Sequence, residues 1–318
     1  MSLTSKELKK LDDAARAGWL YYVAGKTQDE IAQKLNVSRQ SAQRMVALSV
    51  SEGLIKVRLE HPIARCMDLS SAMKKKFGLV ECIVVPSTEG DIGSSIGLAQ
   101  AGAAEIERHL KSPDPIVMAF GTGRSLKACV DELGHFSCEQ HKIVALLGNI
   151  ANDGSASDYN VVVQMGERVN AKHYPMPLPV LPKSKAEKEH LHSLDLVSRT
   201  LKLAEQADVT FVGVGNVGEN SPLVNDGFID IDEAKELVRL GAVGELIGWV
   251  YNKKGELLDC DLNSRVASAR LSIANGSLIY CIAAGHEKTM AIYGALKSNL
   301  MNGLITNEYT AEQLLEMK

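Results

Sequence analysis

The stretch "GTGRSLK", residues 121–127, follows an apolar run, "PIVMAF", and opens a helical pattern. Gly121 and Gly123 let a ligand approach the backbone, while Thr122, Arg124 and Ser125 offer donors at a positively polarised helix start. That is the chemistry of a cradle for a phosphate or a polyol anion. Two other apolar runs end in similar fashion. "LLGNIANDG" leaves its run through Gly148 and Asn149, and "AAGHEKTMAI" places His286, Glu287 and Lys288 at a helix mouth, where Lys288 can meet a phosphate as a point charge. A fourth stretch, "TFVGVGNVGEN", spells G-x-G-x-x-G with Gly213, Gly215 and Gly218. A dinucleotide turn also needs a helix opening at the third glycine and an acidic residue about 20 positions on. Here Glu219 to Gly227 are turn formers, and Asp230 and Asp232 come early. The motif is incomplete, and no cofactor is expected.

A second kind of chemistry sits in the first sixty residues. "TQDEIAQKLNVSRQSAQRMVALSV" begins with Thr27 and Glu30 as T-x-x-E, a capping box for a helix whose apolar face is Ile31, Ala32 and Leu35. Asn36-Val37 makes a tight turn, and Ser38 caps the next helix, with Ala42, Met45, Val46, Ser49 and Val50 facing inward. Its exposed start carries Arg39, Gln40, Ser41, Gln43 and Arg44. Arginine pairs bidentately with guanine and glutamine with adenine, so this is the pattern of a helix-turn-helix that reads DNA. Ser38, Ser41 and the helix N-terminus can meet phosphates, and Thr27 and Gln28 count among the candidate DNA-binding residues. "LIKVRLE" alternates apolar and basic residues like a hairpin wing, with Lys56 and Arg58 available for the backbone. A preceding helix from Ser5 to Val23, with Leu8, Leu11, Ala15, Trp19 and Leu20, closes a three-helix core over residues 1–60.

Bulk numbers bound the class. The chain has 318 residues, 45% hydrophobic and 23% charged, which suits one small and one large globular domain. Its longest apolar runs are too short to cross a bilayer, and the charged N-terminus does not read as a signal peptide, so a cytoplasmic protein with no membrane partner is expected. Net charge is −4, yet residues 1–64 hold ten Lys/Arg against seven Asp/Glu, a slightly basic head on an acidic body. The six cysteines form no C-x-x-C pair and read as reduced thiols. "HFSCEQH" spaces His135, Cys138 and His141 by three, but it lies between elements with no fourth ligand and reads as a surface loop rather than a metal site.

From residue 67 strands and helices alternate: strands at 79–86, 115–120 and 142–148, a helix at 92–111, another from about Asp158, then "DVTFVGVG", and "SLIYCIAAG" followed by the helix "HEKTMAIYGALK". "HYPMPLPVLPKSKAEKEH" reads as a proline-rich loop entering a charged helix near the mouth of the site. The alternation is that of an α/β domain with a largely parallel sheet, over residues 61–318, whose ligands bind at the carboxyl ends of the strands.

In order and spacing, "TQDEIAQKLNVSR", "GTGRSL", "ADVTFVGVG", "GAVGELIGWVYNKKGELLDCDLNSRV", "AAGHEKTMAIYGAL" and "LITNEYTAEQLL" resemble the SorC family of bacterial sugar-responsive transcriptional regulators over almost the whole chain. The resemblance implies a winged helix-turn-helix joined to a Rossmann-like effector domain similar to sugar-phosphate isomerases and deaminases. It further implies a homo-oligomer, tetramer or dimer, that binds operator DNA near sugar-catabolic operons and responds to a sugar, polyol or sugar phosphate. Carried over by position, the effector contacts fall on Gly121, Thr122, Gly123, Arg124, Ser125, Gly148, Asn149, Glu245, Lys288 and Arg265, with "SPLVNDG", including Asp226, folding over the ligand. Some relatives form an imine through a lysine where this chain has Leu147, so noncovalent binding is expected. "GVGNVG" then belongs to the floor or rim of the pocket. The competing reading is an enzyme, a sugar-phosphate isomerase or deaminase with Glu245 as base and Lys288 or His286 as acid. Such an enzyme has no need of the DNA-reading head.

Overall fold

The structure is a computed structural model. It describes residues 5–57, 63–87, 96–150, 155, 159–271, 273, 276–298 and 300–318. The chain divides into two compact units, Met1–Pro62 and Ile63–Lys318.

The first unit is three helices: α1 (Ser5–Tyr22), α2 (Gln28–Leu35) and α3 (Arg39–Ser51). Local chemistry sets the boundaries of α2 and α3. Thr27 Oγ1 accepts the Glu30 N–H at 3.3 Å and the Glu30 carboxylate accepts the Thr27 N–H at 2.8 Å, a complete capping box. The Thr27 N–H, with Lys26 beside it, holds the Glu30 carboxyl at about 2. Asn36 ends α2 in the left-handed region at φ 51°, a conformation asparagine tolerates, and Ser38 Oγ then caps α3 by accepting the Ser41 N–H at 3.1 Å. Ala17, Leu20, Ile31, Ala32, Ala42 and Val46 form the core. Two expectations shift here. The buried stripe of α1 is Ala14, Ala17 and Leu20, whereas Leu8 and Trp19 are exposed, as is Val50 on α3. Residues 54–57 form no strand, Ile55 instead donating to Ser49 O at 2.9 Å; Arg58 lies outside the described residues, so only half of the expected wing is in view.

The second unit runs α4 (Ala64–Phe77), β1 (Glu81–Val85), α5 (Ile96–Leu110), β2 (Val117–Phe120), α6 (Arg124–Glu132), β3 (Lys142–Ile150), α7 (Val161–Val169), β4 (Lys172–Pro179), α8 (Lys185–Ser193), α9 (Asp195–Glu205) and β5 (Val209–Val212). It continues β6 (Gly215–Asn216), α10 (Pro222–Asn225), α11 (Ile231–Arg239), β7 (Ala242–Leu246), β8 (Trp249–Asn252), α12 (Asp261–Arg265) and β9 (Leu278–Ile282). A 3₁₀ turn (His286–Lys288) leads into α13 (Thr289–Lys297), and β10 (Gly303–Asn307) and α14 (Glu308–Glu316) close the chain.

Seven strands make a sheet in the order β1-β10-β9-β5-β2-β3-β4, parallel at every pairing. Alternate residues divide between two cores, as strand period requires. Met118 and Phe120 face α5, α6 and α7, while Ala119 faces the side covered by α4, α13 and α14. β6, β7 and β8 form a separate antiparallel sheet.

The chain departs from the expected elements in four places. The proline-rich segment is a strand, β4, paired to β3 alone; at a sheet edge Pro175, Pro177 and Pro179 need no outward N–H. The segment "SPLVNDG" holds a single helical turn, α10, behind Ser221. The helix expected from about Asp158 begins at Val161, and that expected from His286 is preceded by the 3₁₀ turn.

The order of strands has a consequence for ligands. From β2 the chain winds outward through β3 and β4, and from β5 it winds the other way through β9 and β10. The switch lies between β2 and β5, and a crevice opens outside the carboxyl ends of strands at such a point.

Candidate functional site

At that crevice the structure has a cavity of about 890 Å³, counting its open mouth. Each wall comes from a different strand end. β2 delivers Thr122, Gly123, Arg124 and Ser125; β3 delivers Leu147; β5 delivers Gly213, Val214 and Gly215; the turn after β9 delivers Lys288. Glu245 on β7, the Ile247–Gly248 turn, and Pro222, Leu223, Asp226 and Phe228 around α10 complete the lining, with Tyr159 and Val180.

Gly123 makes the cradle possible. It caps α6 at φ 114°, a conformation closed to other residues, and no side chain caps the helix there. The first N–H groups of α6 therefore have no competing acceptor from the side chain of the cap residue. Thr122 Oγ1 donates to Tyr159 O at 2.7 Å, pinning the loop to the entry of α7.

The charges are set in opposition. Burial pushes the Glu245 carboxyl up from its ordinary range, against N–H donation from Gly248 and Gly215 and the field of Lys288. Burial likewise pushes the Lys288 ammonium down. Glu245 accepts the Gly248 N–H at 2.7 Å, so one carboxylate braces the β7–β8 turn against β6. Arg124, Lys288 and the α6 terminus can hold an anionic group; Asp226 and Glu245 can accept hydroxyl hydrogens; Leu147, Leu223, Phe228 and Ile247 present apolar surface to C–H faces. That combination suits a small polyhydroxylated molecule.

Of the residues singled out in the sequence, Thr122, Gly123, Arg124, Ser125, Asp226, Glu245 and Lys288 are brought together on this cavity. Gly121 and Gly148 line a smaller neighbouring pocket with Thr122 and Tyr159, and the side chain of Asn149 lies outside the described residues. Arg265 is elsewhere. Its guanidinium bonds Asp261 at 2.7 Å and Glu233 at 2.8 Å and reaches Pro182 O. "GVGNVG" supplies floor through Gly213 and Gly215, with Gly218 at φ 152° leading into a turn rather than a helix.

In the first unit Ser38, Arg39, Gln40, Gln43 and Arg44 are exposed at the start of α3, with Thr27 exposed and Gln28 and Ser41 partly so. Arg44 leans back on Gln40 Oε1 at 3.3 Å, and Arg39 pairs with Asp29 at 3.4 Å in the open, a bond weak enough to exchange for another acceptor. Lys56 is exposed beyond α3.

Among the described residues no group of three His, Cys, Asp or Glu is placed to hold a metal, and no helix is long and apolar enough to cross a membrane. His141 and Cys138 of "HFSCEQH" are buried, not on the surface as expected of a loop, because His141 Nδ1 accepts the Ile116 N–H at 3.3 Å and its Nε2 meets Leu110 O at 3.1 Å.

The "Putative sugar-binding domain" family model matches residues 61–316. A relative from Brucella abortus, the erythritol catabolism regulatory protein EryD, is 33% identical over 95% of this chain and 96% of its own. The chain belongs to the SorC family of sugar-binding transcriptional regulators. The transcriptional regulator LsrR of an Enterobacter species is 29% identical over 100% of this chain and 95% of its own. The full-length sorbitol operon regulator SorC of Klebsiella pneumoniae shares the fold, with a TM-score of 0.70 and 23% identity over 97% of this chain and 100% of that one. EryD and LsrR are regulators by name, and this chain is a regulator rather than an isomerase or deaminase.

Several lining residues of this regulator escaped the sequence reading: Tyr159, Phe228, Ile247 and Gly248. All but Tyr159 lie on the β5–β8 excursion, where no periodic signal marks a wall. "IG" between two alternating apolar runs was the available clue, since it fills a two-residue hairpin turn.

Proposed function

We propose that the regulator binds operator DNA through α2 and α3 and takes a polyol, sugar or sugar phosphate in the cavity at the β2/β5 switch, controlling a carbohydrate-catabolic operon. The observation that carries this reading is the cavity itself. Two cations, a helix terminus without a side-chain cap and two carboxylates line it together with apolar side chains, in a chain that also exposes Arg39, Gln40, Gln43 and Arg44 on one helix start. The name of EryD supports a short polyol or its phosphate as the ligand class. Leu147 lines the cavity where an imine would need an amine, which supports reversible binding. Residues 1–60 act as the DNA-reading domain and residues 61–318 as the effector domain. The heads act in pairs on a two-fold operator, within a homodimer or homotetramer.

The test is fluorescence anisotropy of the full chain on its own upstream DNA, at stated salt, with erythritol, xylitol, sorbitol and their monophosphates. Sequence-specific binding shifted by one of these compounds is the expected result, and Arg124→Ala should weaken that shift while leaving compound-free binding unchanged. Specific binding that no compound moves would remove the effector assignment. Light scattering of the same sample decides between dimer and tetramer.

A further inference from the structure

Ile247 occupies a position that its residue type disfavours. β7 and β8 pair Leu246 with Trp249, leaving Ile247 and Gly248 as a two-residue hairpin turn. Both have positive φ, 47° and 88°. Such turns favour Asn-Gly, because a β-branched side chain crowds its own backbone in the left-handed region. Among the described residues the other non-glycine positions with positive φ are Asn36 and Asn170, which tolerate it. Strain of this kind persists only where surrounding structure enforces it, and it gathers at ligand sites.

The enforcement is visible. Glu245 accepts the Gly248 N–H at 2.7 Å, and Gly215 bonds the same carboxylate. The turn is thus held to β6 and cannot relax outward. The Ile247 side chain, 6% exposed, lines the cavity and lies against the cradle loop: a Cβ placed on Gly121 would meet its Cγ2 at 3.2 Å. The turn would form more readily with asparagine, so what isoleucine supplies is its side chain at the cavity wall.

We propose that Ile247 is a specificity-determining residue that limits the length of carbon chain the cavity accepts, closing the end next to Gly121 and packing on a C–H face of the ligand. The inference rests on the sugar-effector reading. Trimming the side chain extends the cavity toward the cradle loop, and one methylene more or less in an apolar pocket changes selectivity by roughly 10–200-fold.

The experiment uses the full chain on its operator, with response midpoints for erythritol, xylitol and sorbitol and their monophosphates. Wild type is compared with Ile247→Val, Ile247→Ala and Ile247→Gly; glycine suits the positive φ and provides a folded variant should alanine fail. The Ala and Gly variants should shift the six-carbon to four-carbon midpoint ratio at least about tenfold toward the longer compound, with valine, one methylene shorter, shifting it the same way by less than either. An unchanged ratio in folded Ala and Gly variants overturns the assignment, as does a uniform loss of response to all compounds, which would make Ile247 a prop for the turn. If wild type responds to none of the series, the sugar-effector reading falls and takes this inference with it.

Discussion

The backbone N–H of Gly285 donates to Thr310 Oγ1 at 2.9 Å, and both residues are buried. Gly285 opens the turn that carries Lys288 to the cavity, and Thr310 sits in the first turn of α14. α14 is in turn clasped along α4. Arg65 pairs with Glu312 and Glu308, and Lys76 Nζ donates to Leu315 O at 2.7 Å and to Leu314 O at 3.2 Å. α4 is the first helix of the second unit, so a ligand that moves Lys288 has a set of bonds reaching the start of that unit. Thr310→Val keeps the shape and removes the acceptor, leaving a buried N–H unpaired at a cost of about 1–3 kcal/mol. The variant should bind operator and effector compound nearly as wild type does, yet lose most of the effect of one on the other. Coupling of this kind is a free energy of about 1–3 kcal/mol and is read from operator titrations with and without compound. An undiminished shift would place the coupling elsewhere.

Arg39 and Arg44 should act on DNA and not on stability. Both are exposed, and the Asp29 and Gln40 side chains they meet are themselves at the surface. Arg39→Ala with Arg44→Ala should leave the melting temperature and effector binding unchanged. Operator affinity should fall by about 1–3 kcal/mol for each of the two arginines that pairs with a base. A marked drop in melting temperature would show that these side chains serve the head's fold.

Local chemistry was legible in the sequence; placement by distant neighbours was not. Thr27, Glu30 and Ser38 announced α2 and α3 because a cap is a bond over three residues. The strand, glycine turn and helix start around Gly121 and Gly123 were legible for the same reason, since they lie within ten residues. The phase of α1 was misread because bulk suggested Leu8 and Trp19, while close packing selected Ala14 and Ala17. Prolines hid β4, since only its place at the sheet edge makes them acceptable. Phe228 and Ile247 reach the cavity by folding of the β5–β8 excursion, which no periodicity encodes. Arg265 was assigned to the ligand by position, and spacing alone does not show that its guanidinium pairs with Asp261 and Glu233.

That last difference is testable. Arg265 is 14% exposed and joins three segments: α12 through Asp261, the cap of α11 through Glu233, and the chain after β4 through Pro182 O. Arg265→Gln should lower stability by about 1.5–3 kcal/mol, the range for hydrogen bonds to charged groups. Compound affinity, measured well below the variant's melting temperature, should change little. A wild-type melting temperature with a large loss of affinity would instead place Arg265 on the ligand.

Glu105 gives the acid limb of stability a specific origin. Burial pushes its carboxyl up, but hydrogen bonds from His109, Arg108 and Tyr280 outweigh that and hold it at about 2 instead of 4.5. Tyr280 in turn stacks on Phe211, ring centroids 5.2 Å apart, and Phe211 on Phe120 at 5.4 Å, so the carboxylate anchors an aromatic row across the switch-point strands. A depressed carboxylate contributes stability that is complete above its unfolded value and lost as pH falls through the folded one. The contribution should therefore be full above about 4.5 and vanish toward about 2, with an upper size of about 3 kcal/mol. Glu105→Gln removes it. Denaturant unfolding of both proteins from pH 7 to pH 3 should show a gap that narrows steadily below about 4.5. A gap that stays constant over that range would mean the glutamine variant loses packing or hydrogen bonds alone, and that Glu105 carries no ionised pairing.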